Sequence, residues 1–101
     1  MVLVQILLPL ADNRGRPFDP DYFAALRAEL TARFGGLTAF TRAPAEGVWA
    51  HGGRKSRDQI VVVEVMAKTM DRPWWRYLRQ RLERDLKQEK LIIRYHTVNL
   101  V

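Results

Sequence analysis

The chain contains no cysteine. That excludes a disulfide framework, a thiolate nucleophile and any sulfur-ligated metal, and it suits a reducing compartment, so the protein is read as cytoplasmic. Histidine is nearly as scarce. His51 and His96 are the only two, far apart in sequence and without a companion carboxylate motif, so no metal site is expected. No apolar run is long enough to span a bilayer. Met1 to Leu10 is apolar, but Gln5 interrupts it and no basic stretch precedes it, which argues against a secretory leader. Also missing are a P-loop, a dinucleotide-binding glycine fingerprint, a Ser/His/Asp arrangement and any internal repeat. No cofactor is expected.

What is present fits one domain spanning residues 1–101. Apolar residues make up 48% and charged residues 28%, ordinary for a globular protein. Seventeen Lys and Arg against eleven Asp and Glu give a net charge of +6, which can attract anionic partners but says nothing about fold.

The most informative stretch is Asp58 to Met66. Ile60 to Val63 and Val65 are β-branched and nearly continuous, as in a strand buried on both faces, with Glu64 as the exception. Val2 to Leu8 is a first strand, with Val2, Val4, Ile6 and Leu8 on one face and Leu3, Gln5 and Leu7 on the other. Pro9 ends its ladder. Asp19-Pro20 opens a helix in which Phe23, Leu26, Leu30 and Phe34 form an apolar face, and Gly35-Gly36 closes it. Leu37 to Arg42 is a short strand, broken or bulged at Ala43 to Gly47 and resumed at Val48 to Ala50. Its Pro44 points to a sheet edge. His51 to Arg57 reads as a Gly-rich basic loop. Asp71 and Pro73 start a second helix with a buried stripe of Trp75, Leu78, Leu82 and Leu86. Three i,i+4 pairs are expected on it: Arg79–Glu83, Arg81–Asp85 and Glu83–Lys87. Leu91 to Val98 is the last strand.

This order of strand, helix, strand, strand, helix, strand predicts an α+β, ferredoxin-like βαββαβ sandwich. It would have a four-stranded antiparallel sheet with two helices on one face and the first and third strands in the middle. With the helices over Leu7, Val61, Val63 and Ile93, the open face would carry Val4, Ile6, Val62, Glu64 and Met66, together with Ile92, Arg94, His96 and Val98. So much uncovered apolar surface predicts a homo-oligomer, a dimer first.

Three groupings carry the chemistry. Glu64 and His96 are the candidate catalytic pair, a carboxylate and an imidazole suited to proton transfer, with Arg94 to hold an anionic substrate. The alternative is that Glu64 pairs with Arg94 or His96 inside an interface. Trp49, His51, Arg54 and Arg57 form the second group, because glycine amides and cations around Gly52-Gly53 suit a small anion; a solvated loop tip is the plainer reading. The basic face of the second helix is interleaved with acids and reads as solvated. Nucleic-acid binding, which on such sheets uses displayed aromatics, is not favoured.

Phe34-Gly35-Gly36-Leu37-Thr38, Trp49, the Asp58 to Met66 strand and Gln88 together resemble small bacterial ferredoxin-like proteins of the dimeric α/β-barrel kind. The resemblance implies either a ligand-binding or interaction module, or a monooxygenase- or isomerase-like enzyme working in a cleft between sheet and helices. Fold analogy does not choose between them, and with no complete catalytic set the binding module is the preferred expectation.

Overall fold

A computed structural model describes residues 1–35, 38–51 and 54–101, with side chains for 1–35 and 60–101. Its elements are β1 (Val2–Pro9), α1 (Pro20–Phe34), β2 (Thr38–His51), β3 (Arg54–Ala67), α2 (Arg72–Asp85) and β4 (Ile92–Thr97). The strands lie in the order β2-β3-β1-β4, all neighbours antiparallel, with β1 and β3 inside.

The expectation of a four-stranded antiparallel sheet is corrected. Across the body of the domain the sheet has three strands, because β1 is paired along its length with Ile60–Ala67 of β3 on one side and with β4 on the other. β2 touches this body only where Thr38, Ala39 and Phe40 pair with Glu64, Val63 and Val62. The register then shifts between Phe40 and Ala45, and from Ala45↔Ile60 onward β2 and β3 run as a two-stranded ribbon. Two prolines account for this. Pro44 has no N–H for the ladder where the shift occurs, and Pro9, opposite Ile60, ends β1. The α+β class stands.

The basic loop expected over His51 to Arg57 is also corrected. Arg54, Lys55, Ser56 and Arg57 are in β3, paired with His51, Ala50, Trp49 and Val48. Gly52-Gly53, between the strands, lies outside the described residues, as does Gly36-Leu37.

The helices form where their caps and apolar spacing place them. Asp19 accepts from the Asp21 amide at the start of α1, and Gly35, at φ 77°, closes it with its amide on the Thr31 carbonyl. Asp71 caps α2 through the Trp74 amide. Leu26 and Leu30 of α1 pack with Trp75, Leu78 and Leu82 of α2 and Leu86 at its C-cap against Val4, Ile6, Leu8, Val63 and Val65, all buried. Phe34 stacks on Trp75 and meets Trp74 edge-on, joining the end of α1 to the start of α2. The Trp75 indole N–H is buried there and has no hydrogen-bond partner among the described residues.

Of the three helical ion pairs, Arg79–Glu83 is present at 3.9 Å. Arg81 instead crosses to Glu29 of α1, donating from both terminal nitrogens. Asp85 accepts from the Tyr22 hydroxyl at 2.8 Å. Glu83 also accepts from the Leu91 amide at 2.9 Å, which fixes the entry into β4. Among the described residues no helix is long and apolar enough to cross a membrane.

Candidate functional site

The ladder register sorts the residues of β1, β4 and the Ile60–Ala67 part of β3 by face. Val4 lies opposite Val65 and Ile6 opposite Val63, all under the helices. Strand alternation then puts Leu3, Gln5 and Leu7 on the other side, with Val62, Glu64 and Met66 of β3 and Ile92, Arg94 and His96 of β4. This corrects the expected face of β1: Val4 and Ile6 are core, and Leu3, Gln5 and Leu7 are open. On β3 and β4 the expected sides hold. None of the open-face residues belongs to the buried cluster, and Met66 is 45% exposed.

A polar row crosses the middle of that face at right angles to the strands. The Gln5 side-chain amide donates from Nε2 to Glu64 Oε2 at 2.8 Å and accepts at Oε1 from Arg94 Nε at 2.7 Å. Carboxylate, amide and guanidinium are thus joined in series across β3, β1 and β4. The residue that links them was not singled out from the sequence, although it left a signal: Gln5 is the one polar residue in the Val2–Leu8 run. His96 stands opposite Leu3, two residues along β4 from Arg94. The structure therefore brings Glu64 and Arg94 together through Gln5 and sets His96 beside the row rather than in it.

Trp49, His51, Arg54 and Arg57 are gathered on the ribbon, where Trp49 pairs with Ser56, His51 with Arg54 and Val48 with Arg57. Their side chains lie outside the described residues. Among the described residues no group of His, Asp and Glu is arranged to hold a metal ion.

The helix-covered side holds a cavity of about 220 Å³ between α1 and the sheet. Leu8, Leu26, Leu30 and Val63 form its buried wall. Phe23, Val61 and Leu10, half-buried, and the exposed Arg27 form its rim. The cavity is apolar except for that single guanidinium. It exists because α1 presents Phe23, Leu26, Arg27 and Leu30 at helical spacing to a strand pair whose facing side chains are only aliphatic.

Among the described residues, three groups away from these sites are electrostatically shifted, one of them Arg81, whose guanidinium is raised first by its hydrogen bond to Glu29. Burial, and then the hydrogen bond to Asp85, push the Tyr22 phenol up to about 12. In the loop after β1 the Asp12 carboxyl is held below the usual carboxylate range, first by the Arg16 amide and also by the Arg14 amide that it accepts from.

No family model matches the chain, and no curated protein sequence matches it. Among solved structures it is similar to a phage SAM lyase in complex with S-methyl-5'-thioadenosine, with a TM-score of 0.62 over 94% of this chain and 79% of that one. The identity is 15%, so the likeness is one of fold.

Proposed function

We propose that this protein is a small-molecule-binding module and that its ligand, an apolar body with an anionic end, enters the cleft between α1 and the sheet. The observation that carries this is the cavity under α1, with an aliphatic wall and Arg27 at its mouth. Its volume is below the roughly 300–1,000 Å³ common for drug-sized ligands, which suits one short chain or ring system. Burying such a body is worth roughly 25 cal/mol per Å² of apolar surface, and the guanidinium gives a carboxylate or phosphate a charged partner at the rim. A second ligand class, the nucleoside thioethers, is supported by the fold neighbour's bound S-methyl-5'-thioadenosine.

One titration tests both. Methyl resonances of Leu8, Leu26, Leu30 and Val63 are followed as octanoate or S-methyl-5'-thioadenosine is added. Octanoate is expected to move these methyls, more weakly in Arg27→Ala and not at all in Val61→Phe, whose ring would fill the rim. A response to S-methyl-5'-thioadenosine alone selects the second class, and no response to either overturns the reading.

A further inference from the structure

The helix-free face has an organisation that the cavity does not use. Leu3 and Leu7 of β1, Val62 and Met66 of β3, and Ile92 of β4 surround the polar row, and all are half-buried or exposed. The row has a sign at each end: Glu64 is negative, Arg94 is positive, and neutral Gln5 sits between them on the central strand. Gln5 engages one carboxylate oxygen and the Nε of the guanidinium. Among the described residues, Glu64 Oε1 and the two terminal nitrogens of Arg94 have no hydrogen bond.

We propose that this face packs against a second copy of the chain about a two-fold axis running parallel to β1 in front of Gln5. That rotation turns the copy face to face and exchanges its β3 and β4 edges. Glu64 then lies over Arg94 of the partner subunit, and Arg94 over the partner's Glu64. Leu3, Gln5 and Leu7 meet their own equivalents, and Val62 meets the partner's Ile92. The other two-fold in the plane, at right angles to the strands, would stack carboxylate on carboxylate and guanidinium on guanidinium. Like charges brought face to face oppose association, so the row selects the first axis. Face-to-face sheets lie about 10 Å apart, a gap that a glutamate and an arginine reaching from opposite sides can close. The interface would be isologous, with the apolar residues for burial and the row for orientation.

The test exchanges charges and reads solution mass by light scattering behind gel filtration. Wild type is expected at the mass of two chains. Glu64→Arg alone and Arg94→Glu alone place like charges at both contacts and are expected at the mass of one. Mixing those two variants restores every attraction between unlike partners, so the mixture is expected at two chains, with one of each by native mass spectrometry. The double variant E64R/R94E, which restores attraction within one species, is expected to return to two chains and shows that the substitutions are tolerated by the fold. A single-chain mass for wild type, single variants that keep the wild-type mass, or a mixture or double variant that stays at one chain would each overturn the proposal. These masses do not depend on the cavity under α1, on the opposite side of the sheet.

Discussion

Arg81 and Glu29 clamp the two helices together: Arg81 Nη1 donates to Glu29 Oε2 at 3.0 Å, while Nη2 takes the other carboxylate oxygen. The same pair explains why Arg81 is not with Asp85, its i,i+4 neighbour. A two-point bond from a planar guanidinium outcompetes a single exposed one. Arg81→Ala is expected to destabilise the domain by about 1 kcal/mol, the upper range for a partly exposed pair. That lowers the melting temperature by roughly 4–8 °C. Arg81→Lys should recover only part of it, because one ammonium cannot make both bonds. Calorimetric melts of the three proteins check this.

Tyr22 gives the fold a sensitivity to alkali. Its phenol is raised from 10.0 to about 12 by burial and by Asp85. Between those values the unfolded chain gives up the proton while the folded one keeps it, so stability is full below about pH 10 and falls toward pH 12. Tyr22→Phe should flatten that slope. Denaturant midpoints at a series of alkaline pH values would show it, and an unchanged slope would count against the assignment.

Asp71 has two duties that substitutions can separate. It caps α2 through the Trp74 amide at 3.2 Å and meets Arg33 at 3.4 Å, and the same Arg33 lies 4.2 Å over the Trp74 ring. Asp71→Asn keeps a capping oxygen and loses the charge, so it should cost a few tenths of a kcal/mol. Asp71→Ala loses the cap as well and should cost about 1 kcal/mol. Urea midpoints distinguish the two, and equal losses would mean that the cap contributes nothing.

Leu78 is fully buried where α2 meets the sheet. Leu78→Ala is expected to destabilise by about 2–5 kcal/mol through lost burial and the cavity left behind. Tyr77→Ala, one residue away at a side chain 56% exposed, should change stability by less than about 1 kcal/mol. A pair of denaturant titrations is enough.

Most of the scaffold could be read from residue spacing. The caps at Asp19 and Asp71, the stop at Gly35, the stripe Trp75-Leu78-Leu82-Leu86 and the central placement of β1 and β3 follow from local chemistry. Two things did not. In β1 both alternating sets are apolar, so spacing separates two faces without saying which one the helices cover. Gln5 was the only available marker of the open one. The extent of strand pairing was legible in part: Pro9 and Pro44 mark where β1 stops and where the β2 ladder is interrupted, but nothing in the basic, Gly-containing stretch shows that β2 and β3 stay paired beyond them as a ribbon. The candidate site was legible in part. Glu64 and Arg94 could be picked out as lone charges in apolar strands, whereas the amide joining them is a matter of register. The cavity under α1 left no pattern, because a space between side chains is not written in any one of them.

The alternation in β1 carries a consequence for how this chain tolerates change. Its even-numbered residues face the helices and its odd-numbered ones face outward, so the strand holds two messages interleaved at a spacing of two. A substitution alters one letter of one message. A single inserted residue between Val2 and Gln5 would exchange the messages upstream or downstream of it, driving Gln5 beneath the helices or Val4 into the open, while two inserted residues would preserve the parity. The tolerance of this strand to insertion is therefore counted in pairs.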